Sequence, residues 1–319
     1  MVQTLKKSLW LVLAGLSVGT IACKNFNKKN DAKTAYGYAS NNDANDIVEY
    51  NNALIKLTDA NYSYLKEVGS NLERIEKGLK NPNYQSEFNF IMEPIYIKPF
   101  TVKITPENPP GAMSSGDKKF FKDSITVMDD QFAKIRTAYK TLADYIKAQD
   151  YKDDKGAKGL ALIDSVYALG NKYYGVENTV LNRLDVIADD AERVTMKNNP
   201  LKDYIYALKD DSKAISGFIK LMEANAGNYT ASEAKIKTSY DSLATLNQQH
   251  TAMGGPKELR FEGKKNSFDR FNSKVNDFLV EARKIMRNAS ATGKVSENDI
   301  HTLKSYQDYV RNAYNSFVD

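Results

Sequence analysis

Apolar residues recurring every three and four positions along most of the chain predict an all-α protein, an elongated bundle of about seven helices. Breaks such as Asn81-Pro82 and Gly254-Gly255-Pro256 cut the periodic stretches into separate helices. The period drops to two only between residues 81 and 116, which predicts a small extended or hairpin insertion between the first two long helices. With 42% hydrophobic and 27% charged residues in a chain of 319, there is apolar material for one large domain or two smaller ones, and disorder throughout is excluded.

The first element is an address. Lys6 and Lys7 precede an apolar run from Leu9 to Ala22, too short for the ~20 residues of a spanning helix but suited to a signal peptide. Thr20-Ile21-Ala22 lead into Cys23, the only cysteine of the chain. This arrangement resembles a bacterial lipobox, with Thr20 standing where Leu is usual. The resemblance implies cleavage after residue 22 and acylation of Cys23, each buried methylene adding roughly 0.8 kcal/mol of membrane affinity. Lys24 and Asn25 follow the cysteine where an Asp would favour inner-membrane retention, so the outer membrane is the expected location. Residues 23–45, rich in Asn, Lys, Ser, Gly and Ala, read as a flexible tether.

The folded body is expected over 46–319. In the first helix Ile47, Tyr50, Leu54, Leu57 and Asn61 are spaced by three and four, and Leu65, Val68, Leu72, Ile75 and Leu79 follow after one extra step of four, a stutter. Gly78 and Asn81-Pro82 end it. Phe121, Ile125, Met128, Phe132, Ile135, Tyr139, Leu142 and Ile146 mark the second helix, and Ile163, Val166, Tyr173, Val180, Leu184, Ile187, Ala191 and Val194 the third. Gly170 and Gly175 are expected to weaken or bend that third helix, at ~1 kcal/mol each. Beyond Asn198-Asn199-Pro200, where two halves could meet, four shorter helices follow. Pro200 opens the first, Thr230-Ala231-Ser232-Glu233 reads as a capping box for the second, Phe268 to Ile285 stripe the third, and Ser296-Glu297-Asn298-Asp299 starts the last.

The insertion at 81–116 is the expected binding feature, with Phe88, Phe90, Tyr96 and Phe100 as partner-contacting aromatics among Pro94, Pro99, Pro106, Pro109 and Pro110. Its competing reading is a packed connector covering one end of the bundle.

Material for catalysis is thin. Two histidines and one cysteine exclude a thiolate zinc site and leave little for imidazole chemistry. Glu297 and His301 share a helical face without a second pair, so no metal site is expected. Asp129-Asp130, Asp185 with Asp189-Asp190, and Asp210-Asp211 read as solvated helix faces. Tyrosines such as Tyr145, Tyr174 and Tyr309 fall beside the stripes, suiting a protein or glycan partner or a wide helix interface. The charge balance, 45 basic against 40 acidic residues, would drop from a surplus of five to three once Lys6 and Lys7 left with the leader, so nucleic-acid binding is not expected.

The turn from Tyr151 to Gly159, reading Tyr-Lys-Asp-Asp-Lys-Gly-Ala-Lys-Gly, and the opening Glu49-Tyr50-Asn51-Asn52-Ala53-Leu54 of the first helix resemble the YiiG-like family of bacterial lipoproteins. The resemblance implies an envelope-anchored helical domain with no assigned activity and no catalytic residues to carry over. The expected function is therefore a non-enzymatic binding or structural module, lipid-anchored in the bacterial envelope and contacting another envelope macromolecule, with no cofactor. The alternative is a lipoprotein capturing a small ligand or a metal between helices.

Overall fold

The computed structural model describes residues 41–100, 103–258 and 261–318. The leader, Cys23, the tether up to residue 40 and Val102 lie outside the described residues. Among the described residues there is no strand, and the chain is all-α. Its helices are α1 (Asn41–Lys80), α2 (Ser115–Lys147), α3 (Ala157–Thr195), α4 (Lys202–Ala224), α5 (Tyr229–Ala252), α6 (Glu262–Thr292) and α7 (Glu297–Val318), with 3-10 turns at Pro82–Phe90, Asp150–Lys152 and Ala226–Asn228. The described residues form two compact units, one up to Thr195 and one from Met196, where a single bundle over 46–319 was expected. The division falls just before Asn198-Asn199-Pro200, because the apolar stripes on either side of that polar break close into separate cores.

Two boundaries differ from expectation. Residues 41–45, assigned to the tether, are the first turn of α1: Ala44 is fully buried three positions before Ile47, so the apolar stripe begins inside the polar-looking segment. The insertion forms no hairpin among the described residues. Pro82–Phe90 winds as a 3-10 helix after Asn81, whose side chain accepts from the Asn83 amide at 3.1 Å, and residues 91–100 continue without regular structure. Pro94 and Pro99 lack the amide hydrogen a ladder would use.

In the first unit α3 packs closely along both α1 and α2, whereas the backbones of α1 and α2 stand farther apart and meet through side chains such as Tyr50 with Phe121 and Tyr64 with Phe132. The stripe residues Leu54, Leu65, Val68, Leu72 and Ile75 of α1 and Ile125, Met128, Ile135 and Leu142 of α2 join Ile163, Val166, Val180 and Leu184 of α3 in one core. Ser114 caps α2: its hydroxyl accepts from the Asp117 amide at 3.0 Å and donates to Asp117 Oδ2 at 2.7 Å. Arg183 of α3 clasps the same carboxylate, Nε to Oδ1 at 2.8 Å, tying the start of α2 to α3. Asp154 performs the equivalent task at α3, accepting from the Gly156 and Lys158 amides at 2.9 and 3.0 Å and from the Tyr145 hydroxyl at 2.6 Å.

The second unit is a four-helix bundle in which α4 neighbours α5 and α7, and α6 lies between α5 and α7 in the ring. Phe218, Phe268, Phe271, Phe278 and Phe317 fill its centre. Ser296 and Asp299 form the capping box of α7, with the Asp299 amide donating to Ser296 Oγ at 3.1 Å and the Ser296 amide to Asp299 Oδ2 at 2.9 Å. The box expected at Thr230 to Glu233 does not form. α5 already starts at the buried Tyr229, and Glu233 instead accepts from Ser290 of α6.

α3 runs as one helix through Gly170 and Gly175, so neither ends it. A third glycine carries the packing: a Cβ at Gly159 would stand 2.6 Å from both Leu79 Cδ1 and Tyr145 Cε1, whereas one at Gly175 meets nothing. Gly159→Ala should accordingly lower stability by about 1–3 kcal/mol, and Gly175→Ala should raise it by about 0.5–1 kcal/mol. Urea unfolding of the two variants, read by helical circular dichroism, checks both signs.

Candidate functional site

The groove that α1 and α2 leave open is filled by the chain between them. Residues 90–100 and 103–113, called the strap, run back along α1. Arg74 donates to the Phe90 carbonyl at 3.2 Å, and Asn71 to the Met92 carbonyl at 2.7 Å. Farther along, Tyr50 donates its buried hydroxyl to the Pro106 carbonyl at 2.9 Å, and Lys103 pairs with Asp46 at 3.0 Å. The same strap is held from α2. Tyr96 packs on Phe132 with centroids 4.8 Å apart and on Tyr64 of α1 at 6.1 Å, and the Arg136 guanidinium lies 5.2 Å from its ring. Asn71 also donates to the Tyr139 hydroxyl at 2.7 Å, so one amide ties α1, α2 and the strap. Burial raises the Tyr139 hydroxyl to about 12, which keeps it a neutral hydrogen-bonding group at any physiological pH.

The four aromatics expected to contact a partner divide into two pairs. Phe88 packs against the core, its ring edge-on to Tyr151 at 5.1 Å and occupying the space a Cβ at Gly78 would need. Tyr96 is the inward anchor just described. These two are corrected: they are half-buried, and their rings pack inward on the first unit rather than standing free. Phe90 and Phe100 face outward, at 65% and 85% exposure, and Met92, Ile95 and Ile97 lie between those values. Five large apolar side chains within eleven consecutive residues thus form an exposed ribbon over an anchored underside. Monomeric proteins seldom leave contiguous apolar patches above a few hundred Å² bare. Sequence alternation pointed to Phe90 and Phe100 but missed Met92, Ile95 and Ile97, because Pro94 resets which side chains turn inward.

Cys23, the expected lipid attachment, lies outside the described residues. Among those described, no three His, Cys, Asp or Glu side chains converge as metal ligands, and no helix is long and apolar enough to cross a membrane. His301 and Glu297 sit on an exposed face of α7. Tyr145 and Tyr174 are core residues, and only Tyr309 of the three singled-out tyrosines is exposed.

Sequence reasoning missed two buried polar clusters. In the first unit, Glu177 is buried against Tyr173, whose hydroxyl donates to Glu177 Oε1 at 3.1 Å and accepts from Asn61 Nδ2 at 2.9 Å. Burial pushes the Glu177 carboxyl up to about 8, with the Tyr173 hydrogen bond pulling the other way. In the second unit Asp211 is fully buried, which corrects its reading as part of a solvated face. Its carboxylate takes His250 Nδ1 at 2.9 Å and Asn247 Nδ2 at 2.9 Å; Asn247 also donates to Asn272 Oδ1 at 3.1 Å. The hydrogen bond to Asp211 raises His250 above its ordinary value, against the opposing effect of burial. Each cluster occupies a heptad position that the apolar stripes skip: Glu177 falls between Tyr173 and Val180, Asp211 between Leu208 and Ile215. That gap is the sequence signal. Both clusters cross helices. The cleft between α4 and α7, lined by Lys209, Ser212, Ile215, Gln307 and Val310, offers about 70 Å³.

No protein-family model matches the chain, and no curated protein is significantly similar to it. Two solved structures share its fold. One is an alpha helical protein from Bacteroides fragilis, with a TM-score of 0.58 and 19% identity over 85% of this chain and 98% of that one. The other is a DUF3829-like protein from Bacteroides thetaiotaomicron, with a TM-score of 0.54 and 16% identity over 86% of this chain and 98% of that one. At these identities the likeness is one of all-helical architecture.

Glu177 and His250, both raised in the folded state, make the same demand on pH: the stability each contributes fades as pH rises. Glu177 keeps its proton in the folded state up to about 8 but loses it near 4.5 when unfolded, so its contribution is fully present below 4.5 and is lost as pH rises through 8. Glu177→Gln should raise the thermal midpoint by about 2–5 °C at pH 8.5 and leave it unchanged at pH 4. For His250, raised when folded, the stabilising charge pair is complete below its ordinary value of 6.5 and fades as pH rises through the folded value. Proton NMR should show the His250 signal titrating above pH 6.5, and His250→Gln should remove the stability slope in that window while lowering stability by about 3–5 kcal/mol at pH 6.

Proposed function

We propose that this protein is a lipid-anchored module of the bacterial cell envelope, more specifically of the outer membrane, that catalyses no reaction and makes contact with a protein partner through the exposed face of its strap. One observation carries the reading: Phe90, Met92, Ile95, Ile97 and Phe100 stand in solvent on a segment whose underside is pinned by Asn71, Tyr96 and Tyr139. A segment that served only to close the groove would gain nothing from five outward apolar side chains, each of which orders water at its surface. Their rigid mounting reduces the conformational entropy lost on contact. The lipobox-like Thr20 to Cys23 supplies the anchor in this reading, and the resemblance to the YiiG-like lipoproteins agrees with it.

The alternative, capture of a small ligand between helices, would use the cleft between α4 and α7. Its roughly 70 Å³ is well short of the 300 Å³ or more of ordinary ligand pockets, so the strap is preferred.

A photo-crosslinking residue placed at Ile95 or Ile97 in cells should yield covalent protein adducts, and one at Val127 or Val186, exposed on α2 and α3, should not. Cys23→Ser should move the chain from the membrane to the soluble fraction. Absence of adducts at both strap positions, or membrane release with Cys23 intact, would sink the proposal.

A further inference from the structure

Resting on the reading of the strap as a contact surface, we infer that its partner is a second copy of this chain, joined strap to strap about a two-fold axis. Three observations on the strap lead there.

The first is area. With the two phenylalanines at 150–250 Å² each and the three aliphatic side chains at roughly 60–120 Å² each, the five exposed residues offer on the order of 600 Å². Two copies laid face to face would therefore remove about 1,200 Å², the lower edge of what specific interfaces bury. The second is charge. The ribbon's centre reads Glu93-Pro94-Ile95-Tyr96-Ile97-Lys98. Antiparallel apposition about an axis between Ile95 and Tyr96 sets Glu93 opposite Lys98 of the second copy, twice, because an isologous interface uses each contact two times. Glu93 is exposed and makes no ion pair within its own chain among the described residues, whereas Lys98 holds Glu107 at 2.9 Å. The third is shape. In that register Ile95 falls between Ile95 and Ile97 of the second copy, so the outward side chains interdigitate while both Tyr96 rings stay turned inward. A partner of different sequence would need no such self-complementarity.

The test uses the full chain in intact membranes, where the expected anchor would hold copies in one leaflet. Ile95→Cys lies next to the axis, so mild oxidation should produce a disulfide-linked dimer on a non-reducing gel, at least tenfold more than Val186→Cys on α3. Adding Lys98→Glu to Ile95→Cys should reduce the crosslinked fraction about fivefold, and adding Glu93→Lys as well should restore it, since the opposed charges are then exchanged. Rescue by double reversal is not expected from a merely structural effect. Crosslinking at Ile95→Cys no greater than at Val186→Cys would overturn the inference, as would a dimer indifferent to both charge reversals. A disulfide between Ile95→Cys and Cys23 of the same chain would also overturn it, by showing that the chain covers its own strap. If strap photo-adducts form only with a different protein, the second copy is excluded while the strap's role as a contact surface survives.

Discussion

The first unit depends on the filling of the groove between α1 and α2. Two helices of 40 and 33 residues each lean closely on α3 and reach one another through long side chains, such as Tyr64 on Phe132 and Asn71 on Tyr139, so the wider gap between their backbones needs a filling. The strap fills that gap. A chain without regular structure carries unpaired backbone groups, and burying them is costly unless side chains satisfy them. Asn71, Arg74 and Tyr50 perform that service for the carbonyls of Met92, Phe90 and Pro106, and proline at 94, 99 and 106 reduces the number of amide hydrogens needing partners. The strap is thus a structural member first. Its outward face is free to differ from its underside, and that freedom is where the apolar ribbon arises.

The two units solve their polar problem differently. Around Glu177 the first unit buries a carboxyl without a cation, and neutralisation by a proton is the cheaper state in a low-dielectric surround. The second unit buries Asp211 as half of a charge pair with His250 and spreads its remaining acceptor capacity over Asn247. A second, partly buried pair, Lys304 with Glu223 at 2.5 Å, joins α7 to α4. Such groups seldom add net stability over apolar residues of the same size, but each of these cross-helix pairings exists only in one register of the helices. In a bundle whose stripes are otherwise interchangeable Leu, Ile and Phe, that requirement selects a single packing.

How far the sequence reached differs by element. The stutter in α1 was readable because an extra step of four leaves both half-stripes on the buried side, and every residue of that stripe from Ile47 to Ile75 is in the core. The start of α7 at Ser296 was readable because the cap's two partners lie within one turn. The false box at Thr230 had a comparable pattern, a hydroxyl residue three positions before an acid; Tyr229, fully buried, begins α5 ahead of it. Phe88 and Tyr96 were indistinguishable from Phe90 and Phe100 by spacing, since only the positions of Gly78, Phe132 and Arg136 decide which rings find cover.

Helix number and the apolar stripe of each helix were therefore legible in the sequence alone, since amphipathic periodicity is a property of residues within a few turns of each other, whereas the starts of α1 and α5 were not. Tertiary structure decided the rest: the division into two cores, the course of the strap, and the burial of Glu177 and Asp211. These outcomes depend on residues tens of positions away, as when Asn61 meets Tyr173 or Asp211 meets His250. No local pattern encodes the partner a side chain will meet across the fold.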